Sequence, residues 1–154
     1  MMRQLLRGAA AGAAGTTALN AVTFLDMVWR ARPASSTPQD TVEKAAEQAH
    51  LAVPGQGEDR DNRVSALGSL TGLVTGVGVG AAYGVVRALG LRPPVWAGAL
   101  LTAGAALAGS NGPMTALGVT DPRTWGTADW VSDVGPHLVF GLVTALAYAD
   151  AQNC

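Results

Sequence analysis

Residues 64–86 read VSALGSLTGLVTGVGVGAAYGVV, an uncharged stretch with a glycine at every fourth position: Gly68, Gly72, Gly76, Gly80 and Gly84. In water, each interior glycine would cost a helix about 1 kcal/mol relative to alanine. In a bilayer the backbone must close its own hydrogen bonds, so the stretch is helical there regardless of propensity. A glycine on every turn leaves a smooth stripe on which a second helix can lie closely. The stretch therefore predicts a membrane-spanning helix with a packing face.

The composition of the whole chain favours the same class of protein. Of 154 residues, 49% are hydrophobic, only 14% are charged, and 20 are glycine. This is too apolar for an ordinary soluble domain, although a soluble helical bundle is the alternative. The net charge of −1 gives no reason to expect a nucleic-acid partner. The single cysteine, Cys154, excludes an internal disulfide and is expected to be an inert free thiol. We expect no cofactor.

Hydrophobic segments long enough to approach the ~20 residues of a bilayer crossing occur four times. They predict an all-α integral membrane protein, a single domain over residues 1–154, with spans at 8–28, 64–86, 94–109 and 136–149. The first is interpreted as a retained span, because no clear small-residue cleavage site of a signal peptide follows it. The last two are short and would extend into flanking polar residues.

The two long connections between spans differ in character. In the first, Thr37, Pro38 and Asp40 form a helix start, with a hydroxyl cap, a proline at the first position and an acid in the first turn. This predicts an interfacial amphipathic helix over residues 38–51. The second connection, residues 110–135, is rich in Asp and Trp and predicts an interfacial loop at the headgroup level.

Two parts of the sequence resemble each other. VSALG at 64–68 parallels VSDVG at 131–135, GLVTG at 72–76 parallels GLVTA at 141–145, and Tyr83 and Tyr148 follow. The match predicts two consecutive helical hairpins related by an axis along the membrane normal, with Gly141 as a packing glycine like those of the second span. Chance similarity among small apolar residues is the alternative.

Two hairpins would place both long connections on one side of the membrane and the termini on the other. The terminal side carries four arginines in short flanks, Arg3, Arg7, Arg87 and Arg92. We therefore predict a multi-pass protein of the bacterial inner membrane with both termini cytoplasmic. The six basic residues of the connections favour the opposite orientation by count alone.

A few polar residues in or near the spans are candidates for chemistry. Asn20, Asp26 and His137 are candidates for an ion or proton path, because polar groups inside a bilayer are costly. The structural alternatives are that Asp26 pairs with a nearby arginine and that Asn20 bridges two helices.

Asp129, Asp133 and His137 follow one another at four-residue intervals, which would stack them on one helical face. Such a trio could bind a divalent metal or relay a proton. The alternative is that Pro136 marks the first turn of the last span, so that the trio does not share one helix and the aspartates only cap it. No nucleotide-binding or hydrolase motif is present, and we do not expect an enzyme.

The segment Asp129–Thr144, DWVSDVGPHLVFGLVT, resembles small uncharacterised actinobacterial membrane proteins, as does the glycine-rich first span followed by Arg30-Ala31-Arg32-Pro33. The chain is also distantly similar to YagU-like bacterial inner-membrane proteins. The resemblance implies a four-span inner-membrane protein without an assigned reaction and without catalytic residues.

Three functions follow from these observations. The first is a structural or accessory protein that packs through its glycine ladder into a homo-oligomer or a larger membrane complex in the lipid bilayer. The second is a channel or transporter for protons, ions or small solutes. The third is a metal-binding membrane protein or enzyme centred on Asp129, Asp133 and His137.

Overall fold

A computed structural model describes residues 1–153, with side chains through residue 149; Cys154 lies outside the described residues. The described chain is all-helical and contains no strand. Its five α-helices are α1 (Met2–Arg30), α2 (Thr37–Gln48), α3 (Glu58–Ala88), α4 (Val95–Ala116) and α5 (Thr127–Asn153), with a 3-10 turn at Pro122–Thr124. The predicted fold class is confirmed at this level.

The four long helices, α1, α3, α4 and α5, run alternately up and down. Pairs of contacts show the antiparallel order: Gln4 meets Tyr148 while Arg30 meets Ser132, at opposite ends of α1 and α5. α1 packs along both α3 and α5, and α4 packs along α5 and more lightly along α3. The helices therefore form a ring in the order α1, α3, α4, α5. Both long connections lie at one end of the bundle, and the N-terminus and the short 89–94 turn lie at the other.

Close approach of α1 and α3 depends on glycine in both helices. A Cβ built on Gly8 would lie 2.9 Å from the Gly84 Cα, and one built on Gly80 would lie 2.6 Å from the Gly12 Cα. Real Cβ atoms do not come so near to backbone, so only glycine fits at this crossing. Backbone contact replaces side-chain interdigitation, as is usual for helices that pack through small residues.

Contacts between helices recur in the two halves of the chain. Thr144 on α5 packs against Gly15 of α1, and Thr75 on α3 packs against Gly109 of α4. Thr75 and Thr144 are equivalent in the internal repeat. The interpretation of the two halves as repeated hairpins stays a prediction.

α2 lies on the first half of α3. A Cβ on Gly68 would lie 3.1 Å from the carbonyl carbon of Pro38, and Arg60 Nη1 lies 2.7 Å from Glu43 Oε1. The helix covers Thr37–Gln48 rather than 38–51, because His50 adopts a left-handed φ of 53°. Its N-cap is Ser36 and not Thr37 as predicted.

The predicted interfacial loop over 110–135 is largely wrong. α4 continues to Ala116 through Pro113, and α5 begins at Thr127, so only residues 117–126 connect the two helices. Within this connection, Trp125 donates its Nε1–H to Thr120 Oγ1 at 2.9 Å and packs edge to face on Trp130. The connection is a short, ordered corner.

Two helices of the described chain are long and apolar enough to cross a membrane by length and composition: Glu58–Ala88 and Thr127–Ala149. Only 22% and 28% of their most apolar windows are buried inside the protein. Their apolar surface is therefore mainly on the outside of the bundle. α1 and α4 do not meet the same requirement.

Candidate functional site

A cavity of about 680 Å³ opens between the long helices, at the end of the bundle that carries the long connections. Below it, the crossing of α1 and α3 at Gly12 and Gly80 closes the bundle. Its walls come from all five helices and contain both polar and apolar side chains. The polar members that matter for its chemistry are Asn20, Gln39, Ser110, Asn111, Asp133 and His137.

The wall formed by α4 and α5 holds a connected polar cluster. Asn111 Nδ2 donates to Asp133 Oδ2 at 2.7 Å, and Ser110 Oγ lies 3.3 Å from His137 Nε2. His137 Nδ1 lies 2.7 Å from the backbone carbonyl of Asp133. Because a carbonyl only accepts, Nδ1 donates to it, and the Ser110 hydroxyl itself donates to the backbone carbonyl of Ala106 at 2.9 Å. We call Ser110, Asn111, Asp133 and His137 the polar cluster.

The polar cluster exists because α5 is continuous through Pro136. The interpretation of Pro136 as the first turn of the last span is wrong: the helix begins nine residues earlier, at Thr127. Proline lacks an N–H, so the carbonyl of Ser132 loses its usual helical donor. The hydroxyl of Ser132, which is a separate group from its carbonyl, accepts a hydrogen bond of 2.6 Å from Arg30 Nη2. This bond joins α1 to α5 at the cavity.

Asp129, Asp133 and His137 do share one helix, but the structure does not bring the three together. Asp129 accepts the backbone N–H of Gly126 at 3.0 Å and so caps the start of α5. Asp133 and His137 are closer to each other, with 3.6 Å between Oδ1 and Nδ1. Among the described residues, no three His, Cys, Asp or Glu side chains form a group that could hold a metal ion.

Asp26 lies near the end of α1 and forms ion pairs with two arginines. Its carboxylate lies 2.9 Å from Arg30 Nε and 2.7 Å from Arg32 Nε. This is the structural alternative that the sequence left open for Asp26. Arg30 and Arg32 line the large cavity, whereas Asp26 itself faces a shallow groove beside Trp29.

Asn20, the other polar candidate of the first span, does not bridge helices through a hydrogen bond to any described residue. It is exposed and lines the large cavity, on the α1 wall opposite the polar cluster. Its amide is therefore available to a molecule in the cavity.

The glycines singled out in the sequence divide into three groups. Gly76, Gly80 and Gly84 are buried against α1, and Gly141 is buried against Ala99 and Ala103 of α4. Gly68 lies under the first turn of α2. Gly72 is exposed and lines the cavity, since no atom lies within 4 Å of a Cβ built there. The ladder thus serves packing at one end and leaves room for the cavity at the other.

Aromatic residues fill the opposite end of the bundle. Tyr83 and Tyr148 pack edge to face with ring centroids 5.2 Å apart, and the Arg87 guanidinium lies 5.9 Å and 5.3 Å from the two rings. Tyr148 donates its hydroxyl to Gln4 Oε1 at 2.6 Å. Cation–π and hydrogen-bond contacts therefore tie α1, α3 and α5 together below the cavity.

Sequence reasoning missed three of the cavity's polar residues. Ser110 and Asn111 were assigned to a loop, and Gln39 was placed in the surface helix without a role of its own. The partners of Ser110 and Asn111 lie far away in the chain, at residues 137 and 133, so local spacing could not reveal them. The polar pair Ser110-Asn111 directly after an apolar segment was the available signal.

No protein-family model, curated protein or solved structure matches the chain. The resemblance to YagU-like proteins therefore stays a prediction, and the function must be argued from the cavity itself.

Proposed function

We propose that this chain is a four-span protein of the bacterial inner membrane that takes up a small solute in its cavity and carries it across. The observation that carries the proposal is the large, partly polar cavity enclosed by helices whose outer surfaces are apolar. A membrane protein has little reason to keep polar side chains between its helices unless they serve a solute or an ion path.

The outer surface supports membrane embedding. Large apolar side chains point outward along α3, α4 and α5; they include Leu67, Leu70, Val74, Leu100, Leu101, Leu142 and Leu146. Soluble monomers rarely expose so continuous an apolar surface. Exposed tryptophans mark both ends of the bundle, with Trp29 89% exposed at one end and Trp96 69% exposed at the other. Tryptophan is enriched at both membrane interfaces.

Four crossings are proposed although only α3 and α5 meet the length and composition requirement for a membrane span. α1 and α4 contain 29 and 22 residues, which suffices for the ~20 needed to cross. Each lies between the apolar helices α3 and α5 in the ring, and buries Gly8, Gly12 and Gly15 of α1 or Gly98 and Thr102 of α4 against its neighbours. The termini and their arginines are proposed to be cytoplasmic, and the cavity then opens on the outer side.

Cysteine labelling tests this placement. In a Cys154→Ser background, we would introduce Ser69→Cys on the cavity wall and Val74→Cys on the outer surface of the same helix, where Val74 is 68% exposed. A membrane-impermeant, charged thiol reagent added to intact spheroplasts should label the first and not the second. Equal labelling of both would mean that the bundle is not embedded in lipid. Failure to label either would mean that the cavity does not open to water on the outer side.

Transport is tested by flux into proteoliposomes loaded with the purified protein. Uptake of small polar solutes above that of empty liposomes is the expected result. Rates equal to those of empty liposomes for cations, anions and neutral solutes alike would remove the transport function.

A self-assembling accessory protein is the second candidate. The observation in its favour is that Gly78 and Gly104 face away from the bundle with no atom near them. The ladder glycines Gly76, Gly80 and Gly84 contact α1 of the same chain. This weakens the argument that the ladder packs against a second copy or another protein. Native mass in detergent decides: a monomer would remove this candidate.

A further inference from the structure

We infer that the cavity selects a small organic cation, with an ammonium group and a short apolar body. The inference rests on the proposed function and names its solute class. It is carried by the charges of the cavity wall, by the acceptors they present, and by the apolar side chains around them.

The charges near the cavity leave an excess of negative charge. Arg30 and Arg32 both contact Asp26, so one carboxylate already offsets part of their charge. Asp129 and Asp133 also line the cavity, and no Arg or Lys of the described residues forms an ion pair with either of them. Asp129 and Asp133 are thus the two carboxylates on the cavity wall, whereas Asp26 holds Arg30 and Arg32 from a neighbouring groove. The excess negative charge lies on the α5 wall.

The arrangement of oxygen atoms suits a donor with several N–H groups. Asp133 Oδ2 accepts from Asn111, while Oδ1 lies 3.6 Å from His137 Nδ1, beyond hydrogen-bond distance. The Asp133 side chain is 23% exposed, so its carboxylate can be reached from the cavity. An ammonium group brings three donors and no acceptor, which suits this carboxylate.

The remaining wall is apolar and partly aromatic. It includes Phe24, Leu73, Met114, Trp125 and Phe140. Such a surface favours a solute with a hydrocarbon portion, and the aromatic faces attract a cation further. A free carboxylate or phosphate would find its arginines already engaged by Asp26 and would be repelled by Asp129 and Asp133.

Binding to the purified full-length protein in nanodiscs tests the inference, with n-butylammonium, butanoate and n-butanol as matched probes. We expect calorimetric binding of butylammonium and little of the other two. Asp133→Asn should weaken butylammonium binding by about tenfold or more, since it removes the charge that the cation meets. Asp133→Glu should restore part of the affinity.

Glu47→Gln is the matched control. It removes one negative charge from the outer face of α2, where Glu47 pairs with Lys44, and should leave binding unchanged. Circular dichroism and thermal unfolding of each variant separate loss of binding from loss of folding.

Tighter binding of butanoate, equal binding of butanol, or unchanged binding by Asp133→Asn in a folded protein would each overturn the inference. The labelling of Ser69→Cys distinguishes failure of the cation inference from failure of the proposed function. If that position is accessible but butylammonium does not bind, only the cation inference fails; if it is inaccessible, the proposed function fails with it.

Discussion

Gly12 on α1 and Gly80 on α3 face each other backbone to backbone, so that a methyl group built on Gly80 would lie 2.6 Å from the Gly12 Cα. The contact cannot relax by moving a flexible side chain, because both partners are main chain. α1 and α3 must separate if either glycine gains a side chain.

Gly80→Ala should therefore destabilise the protein by about 1–3 kcal/mol, the usual cost of overpacking. Gly78→Ala on the same helix is the matched control, since no atom lies within 4 Å of its Cβ position. It should be neutral or stabilising by up to ~1 kcal/mol, through helix propensity. Thermal unfolding in detergent compares the two. Equal stability of both variants would show that α1 and α3 do not meet here.

Tyr148→Phe should cost about 1 kcal/mol, because it removes the 2.6 Å hydrogen bond to Gln4 and leaves that amide oxygen without its donor. Tyr83→Phe should cost less, since the Tyr83 hydroxyl accepts only a long bond of 3.4 Å from Arg87. A double-mutant cycle with Gln4→Leu isolates the Gln4–Tyr148 pair. A coupling near zero would contradict the contact.

Asn111→Ala should destabilise the bundle by about 1.5 kcal/mol, at the lower end of the range for hydrogen bonds to a charged group, because the Asp133 side chain is 23% exposed. The effect should shrink when Asp133 is already changed to Asn. Asn20→Ala serves as the control, because Asn20 is exposed, and should stay within about 0.5 kcal/mol. Chemical unfolding in micelles measures the wild type, each single variant and the Asn111→Ala, Asp133→Asn double variant. An undiminished effect of Asn111→Ala in the Asp133→Asn background would contradict the pairing of Asn111 with Asp133.

Asp121 in the connection between α4 and α5 provides a pH-dependent test. Hydrogen bonds from the Arg123 side chain and backbone hold the pKa of Asp121 below its ordinary value of 3.8. The contact therefore stabilises the connection above pH 3.8, and this contribution is lost as the pH falls through the lower, folded-state pKa. The NMR shift of the Arg123 amide, which lies 3.0 Å from Asp121 Oδ1, should titrate with a midpoint below 3.8. In Arg123→Leu the midpoint should rise; a wild-type midpoint at or above 3.8 would contradict the contact.

Local pattern predicted much of the fold. The four-residue spacing from Gly68 to Gly84 indicated a helix with a bare face, and the repeat of GLVTG with GLVTA indicated two similar hairpins. The glycine spacing is a signal between neighbouring helical turns, the range over which helical periodicity acts, whereas the repeat compares two distant segments and its hairpins stay a prediction.

The misinterpretations have a common physical origin. Pro136 looked like a helix start, because proline usually disrupts a helix interior, yet α5 continues through it. The cavity could not be predicted at all, since its walls come from all five helices. The placement of those helices depends on packing between distant segments, as does the pairing of Asn111 with Asp133.

The turn at residues 89–94 joins the two hairpins with little packing of its own: Leu89 is 71% and Leu91 61% exposed, and Gly90 takes a φ of 91°. Each half of the polypeptide keeps its own long connection on the opposite side. Co-expression of residues 1–90 and 91–154 as separate fragments should consequently reconstitute the bundle.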